Sequence, residues 1–147
     1  MKNIMKGFAL ICFVVALSAC QRNVATNEEG NALGLKYVTF VNEGKYDEAF
    51  ALVSDDFFNT RHKDQWIEYY KAIKETMGDV ISVKLSRHLV DDRFSGRFYM
   101  FQFSIKHVNG FTTEMVTMIQ RINKKEQLKV FAHKVDSSKL RKINEMY

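Results

Sequence analysis

The 147-residue chain has no proline, 2 cysteines, 1 tryptophan and 7 glycines. Without proline or glycine enrichment there is no collagen-like, proline-rich or flexible-linker architecture. Two cysteines cannot staple a small secreted fold into a disulfide framework. Only one long apolar run is present, at the N-terminus, and no later segment approaches the ~20 apolar residues of a membrane span. The formal charge of +5 is spread without a basic block, so a nucleic-acid partner is not expected. What remains is 46% hydrophobic with 12 phenylalanines and 27% charged, which is the composition of one modest globular domain.

Met1 to Cys20 has the layout of an export signal: Lys2 and Lys6 are followed by the apolar stretch Phe8 to Leu17 and then small residues. Leu17-Ser18-Ala19-Cys20 resembles the lipobox of bacterial lipoproteins. The resemblance implies cleavage after Ala19, a diacylglycerol on the Cys20 thiol and acylation of the new amine. A thiolate is the side chain nucleophilic enough near neutral pH to accept such a lipid, and two or three chains hold a membrane where one is marginal. Gln21 stands where an aspartate would imply inner-membrane retention, so the outer membrane facing the periplasm is expected in a two-membrane cell. Residues 1–19 are therefore read as signal, 20–30 as lipidated cysteine and tether, 31–136 as the domain and 137–147 as a polar tail. Loss of Lys2 and Lys6 brings the formal charge to +3. With Cys12 removed and Cys20 lipidated, no thiol remains for a disulfide, a metal or a nucleophile.

From Asn31 the apolar spacing is helical. Leu35, Val38, Phe40 and Val41 fall on one side, Gly44 interrupts, and Tyr46, Ala49, Phe50 and Val53 resume. A third helix is predicted over about His62 to Met77, with Trp66, Tyr69, Tyr70, Ile73 and Met77 on one face and Gly78 as its stop. Beyond Gly78 the period changes to two. Ile81, Val83, Leu85 and Leu89 form a first strand, and Asp91 to Gly96 a turn. Arg97 to Val108 and Phe111 to Ile122 follow, joined at Asn109-Gly110, a pair suited to tight hairpins. Pairing Val108 with Phe111 would set Ile105 opposite Glu114, Phe103 opposite Val116, Phe101 opposite Met118 and Tyr99 opposite Gln120. A looser turn near Asn123 to Glu126 leads to a fourth strand, Leu128 to Val135, presenting Leu128, Val130 and Ala132 to the same face. A short terminal helix could dock Leu140 and Ile143. Helices followed by a four-stranded antiparallel meander define an α+β fold, with the helices on one face of a curved sheet.

Four stretches carry a family resemblance: Glu43-Gly44-Lys45-Tyr46-Asp47-Glu48-Ala49-Phe50, the Gln65-Trp66 helix ending in Met77-Gly78, Phe101-Gln102-Phe103, and Thr113-Glu114-Met115-Val116-Thr117. In that order they resemble small exported bacterial proteins of a domain-of-unknown-function family in the nuclear-transport-factor-2-like, cystatin-like superfamily, over about Leu33 to Val135. The resemblance implies a curved-sheet roll with helices across it.

Glu114 is the sharpest polar candidate, because the expected register buries it beneath the helices, where a carboxylate must pair or protonate. It is either a general acid or base in a conical pocket with Tyr99 as a donor, or a structural carboxylate. Trp66, Tyr69 and Tyr70 either line a ligand pocket or simply fill the core. His62, His88, His107 and His133 show no pair at ligand spacing, so solvent-facing positions are expected and a metal site is not. No phosphate loop, Ser-His-Asp arrangement or cofactor motif is visible, and no cofactor is expected. The other sheet face, with Phe98, Met100, Phe111, Met115, Ile119, Phe131 and Val135, is apolar enough to meet a second copy or an envelope protein, unless the C-terminal tail covers it. Lys139, Arg141 and Lys142 offer a small basic patch for anionic lipid. The expected role is a non-enzymatic binding or interaction module in the cell envelope. The alternatives are a small-ligand carrier or acid/base enzyme using the interior pocket, and a peptidoglycan or anionic-glycolipid binder.

Overall fold

One antiparallel sheet of four strands in sequential order, β1 (Val80–Arg93), β2 (Gly96–His107), β3 (Gly110–Gln120) and β4 (Lys129–Asp136), carries helices on one face. The computed structural model describes residues 24–121 and 127–147; the leader, Cys20 and the turn expected near Asn123 to Glu126 lie outside that range. The helices are α1 (Asn27–Glu43), α2 (Tyr46–Phe50), α3 (Lys63–Met77) and α4 (Arg141–Met146), with 3₁₀ turns at Asp55–Asn59 and Ser138–Leu140. This is the expected α+β architecture. No helix among the described residues is long and apolar enough to cross a membrane.

The first helix starts four residues before Asn31, inside the stretch read as tether. A capping box explains the difference: Thr26 Oγ1 accepts from the Glu29 N–H at 3.1 Å, and the Glu29 carboxylate accepts from the Thr26 N–H at 2.7 Å. The buried face of α1 is also shifted. It runs through Gly30, Gly34, Tyr37, Val38 and Val41, while Leu35 is largely exposed. Glycines four residues apart let the helix lie directly on the sheet, because a Cβ at Gly30 would stand 2.8 Å from the Phe101 ring. Gly44, at φ 76, terminates α1 in the left-handed conformation where a side chain is disfavoured.

The β2–β3 pairing differs from the expected register by two residues. Phe103 faces Glu114, Phe101 faces Val116, Tyr99 faces Met118 and Ile105 faces Thr112. An even shift leaves every side chain on its expected face, so the apolar face survives the error. The turn residues are Val108 and Asn109, because the turn is docked on the end of α3. Asn109 N–H donates to Met77 O at 2.9 Å, Val108 N–H to Asp79 O at 3.0 Å and Asn109 Nδ2 to Thr76 O at 3.2 Å. These bonds satisfy carbonyls that a helix end otherwise leaves open.

Strand β4 contains the departure that shapes the interior. Thr117 pairs with Ala132 but Met118 with Val130, so Phe131 is an extra residue in the ladder. Val130 faces the core on one side of this bulge; His133 and Val135 do so on the other, and Ala132 is exposed. The expected inward Ala132 and outward Val135 and His133 are thus reversed. The outer edge of β4 is held at the bulge by Val130 N–H to Leu52 O at 3.0 Å and Ser54 N–H to Val130 O at 2.8 Å. Val53 forms a parallel bridge there and does not extend a helix.

Strand β1 carries bulges near Ile81 and Ser86, which disperse its expected apolar face; Ile81, Leu85 and Leu89 are all exposed. On the outer sheet face Phe98 packs edge-on against Phe131 and Ile119 is buried, whereas Phe111 and Met115 are open. The tail does not cover that face. Its Leu140 is fully buried in the helix-side core, and it contacts α3.

Candidate functional site

The core between sheet and helices is crossed by a continuous chain of hydrogen bonds. Tyr37 and Tyr70 hydroxyls meet at 2.6 Å, and Tyr70 OH lies 2.9 Å from His133 Nδ1. His133 Nε2 lies 3.0 Å from Glu114 Oε2, and Thr112 Oγ1 lies 3.2 Å from Glu114 Oε1. Thr112 Oγ1 is in turn 2.9 Å from His107 Nε2, whose Nδ1 is 3.3 Å from Gly78 O. Each of these side chains is buried.

The Gly78 carbonyl only accepts, so His107 Nδ1 donates to it. With a neutral His133 donating from Nε2 to the carboxylate, its Nδ1 accepts from Tyr70 and Tyr70 accepts from Tyr37. The Thr112–His107 end closes in two ways that differ only in where one proton sits. Either a doubly protonated His107 donates to Thr112, which donates to an ionised Glu114, or a carboxylic acid donates to Thr112, which donates to neutral His107. Net charge is the same in both. Burial pushes the Tyr37 and Tyr70 phenols far above the usual tyrosine range, so both remain donors.

This chain settles where the sequence candidates lie. Glu114 is under the helices as expected, 2% exposed, and it lines neither of two clefts found on the surface among the described residues. Of the two readings of Glu114, the surroundings match the structural carboxylate: its own hydrogen-bond partners and aromatic packing fill the space around it. Tyr99 is not its donor: four residues along β2 from Glu114's partner Phe103, it donates to Ala25 O at 2.5 Å and ties down the start of α1. His133 and His107 are buried partners in the network, which corrects the expectation of solvent exposure. His133 was concealed because strict alternation points it outward, and only the Phe131 bulge reverses it. His88 is exposed beside Phe101, and His62 precedes α3. Among the described residues, no three histidine, cysteine or acidic side chains converge as a metal site would require.

Trp66 and Tyr69 do line a cleft, of about 470 Å³, on the outer side of β4. The segment between the Asp55–Asn59 turn and α3 brings Arg61 over both rings, with Cζ 4.3 Å from the Trp66 centroid and 4.4 Å from that of Tyr69. Arg61 Nε donates to the main-chain oxygen of Tyr147 at 3.2 Å. Tyr69 OH donates to Asn144 Oδ1 at 2.9 Å, and Asn144 Nδ2 donates to Val135 O at 3.2 Å, which latches α4 across the cleft. Burial pushes the Tyr69 phenol up to about 12 against the opposing Arg61 charge. Trp66 is 5% exposed, yet its buried Nε1 has no hydrogen-bond partner. Tyr70, expected beside them, stacks on Trp66 at 5.4 Å but belongs to the interior network. Of the basic tail residues, Lys139 is tied to Asn109 O.

A four-stranded antiparallel sheet backed by helices in this order is an NTF2-like fold. An NTF2-like protein from Cytophaga hutchinsonii superposes with a TM-score of 0.51 at 11% identity, covering 78% of this chain and 99% of its own. A second similar structure, Bd1075 from Bdellovibrio bacteriovorus, gives a TM-score of 0.50 at 8% identity over 76% of this chain, which spans 41% of that protein. At these identities the likeness is one of fold alone. No protein-family model matches the sequence, and no curated protein matches it.

Proposed function

We propose that the chain is an exported, lipid-anchored binding module, held to the outer membrane through Cys20, whose ligand site is the Arg61–Trp66–Tyr69 cleft. Support for the anchor is the lysine-led apolar leader ending in Leu17-Ser18-Ala19-Cys20. The observation that carries the binding reading is a contrast: the polar interior at Glu114 is filled and internally satisfied, whereas the cleft is open and carries a half-buried guanidinium over two rings. Fold and function are separable, so the reading rests on this site and not on the neighbours.

Two measurements test it. Cells grown with labelled palmitate should label the chain in the membrane fraction, and Cys20→Ser should abolish the label and release the protein. In the full-length chain, a fragment set of mixed chemistry should shift the Trp66 indole N–H resonance ahead of any core signal. Fragments that act first on Glu114 or Thr112, which do not line the cleft, would return the function to the interior and remove the cleft from consideration.

A further inference from the structure

The polar groups that line the cleft divide sharply into spent and unspent. Asp56, the one acid on its wall, is paired with Arg121, and the Tyr69 hydroxyl is committed to Asn144. Among the described side chains that line the cleft, the Arg61 Nη amines, Lys134 Nζ and the Thr60 hydroxyl make no hydrogen bond or ion pair, and neither does the Trp66 Nε1–H sealed within the wall. All four can donate, and two are cationic. An orphaned buried N–H is uncommon enough to require an account, and a guanidinium packed on aromatic faces is poorly hydrated, which favours exchange of water for an anion. Around these donors the walls are aromatic, supplied by Phe57, Trp66, Tyr69, Phe131 and Tyr147.

We infer that the cleft takes an amphipathic carboxylate, its planar head on the free Nη edge of Arg61 and its apolar body against the aromatic walls. Because Nε is already given to the Tyr147 oxygen, the end-on fork of the two Nη groups is what remains, and it matches two coplanar carboxylate oxygens. Lys134 adds positive potential at the entrance. A volume of about 470 Å³ suits a small acid of this kind and not a macromolecular surface. The inference rests on the cleft being the binding site.

The chain's single tryptophan is the reporter. The full-length protein is titrated with 3-phenylpropionate, with the isosteric 3-phenylpropionamide and with phenyl phosphate, following Trp66 fluorescence and its indole N–H resonance. The carboxylate should saturate, with the amide about tenfold weaker or more through loss of the charge-assisted pair. Arg61→Met should erase the difference, and Arg61→Lys, which keeps charge without the fork, should restore only part of it. Equal binding of acid and amide would overturn the carboxylate while leaving the cleft as a site, and so would tighter binding of phenyl phosphate. No response of Trp66 to any of the three would overturn the inference, and the failure of the broader fragment set as well would remove the cleft reading itself.

Discussion

Replacing Glu114 tests the interior network, because two substitutions of similar size should diverge. In Glu114→Gln the amide oxygen can still accept from His133 Nε2–H, and the amide nitrogen can donate to Thr112, whose hydroxyl then turns to a neutral His107. Every polar atom keeps a partner, so the cost should stay within about 1 kcal/mol. In Glu114→Leu, His133 Nε2–H, now 3.0 Å from the carboxylate, loses its acceptor in a site 2% exposed, while Thr112 can still turn to His107. One unsatisfied buried donor costs about 1–3 kcal/mol, partly offset by the added apolar burial, leaving about 1–2 kcal/mol net. With a urea slope of about 2 kcal/mol/M, the midpoint should fall by about 0.5–1 M for leucine and by less than about 0.5 M for glutamine. The reasoning is refuted if glutamine falls as far as leucine, or if leucine matches the parent.

His133→Phe should be the more damaging single change, about 3–5 kcal/mol by urea unfolding, because it strands the Glu114 carboxylate; pairing it with Glu114→Leu should recover part of that loss. Stability should decline as pH rises above about 10: the unfolded tyrosine then releases its proton while Tyr69, pushed up to about 12, retains it, and the decline from this group should level off beyond that value. Absorbance at the phenolate band during alkaline titration follows it. Gly30→Ala should destabilise by about 1–3 kcal/mol despite alanine's better helix propensity, since the new Cβ meets the Phe101 ring at 2.8 Å. A thermal melt matching or exceeding the parent's would show that α1 does not sit where described.

Much of the fold was legible because its signals are local and periodic. The Trp66 to Met77 stripe, the stop at Gly78 and the alternation of Tyr99, Phe101, Phe103 and Ile105 specify elements and faces without reference to distant residues. The two-residue slip at Val108-Asn109 was not legible, since it is set by the hairpin docking on Met77 and Asp79, contacts that cross the fold. Nor was the role of His133, which depends on one inserted residue, Phe131, whose bulge is fixed by the Leu52–Ser54 segment. The candidate site was half visible. Trp66 and Tyr69 stood out by spacing and Glu114 by burial, but Arg61 reaches the rings from a segment with no periodicity, and nothing in the sequence separates a sealed carboxylate from an open one.

The central claim is that ligand chemistry belongs to the cleft and not to the interior. A crystal structure of the full-length protein soaked with 3-phenylpropionate tests it most directly. The account expects the carboxylate on Arg61 Nη1 and Nη2 with the ring against Trp66, and Glu114 bonded only to His133 and Thr112. A ligand seated against Glu114, with Tyr70 or His133 turned aside to admit it, would contradict the account.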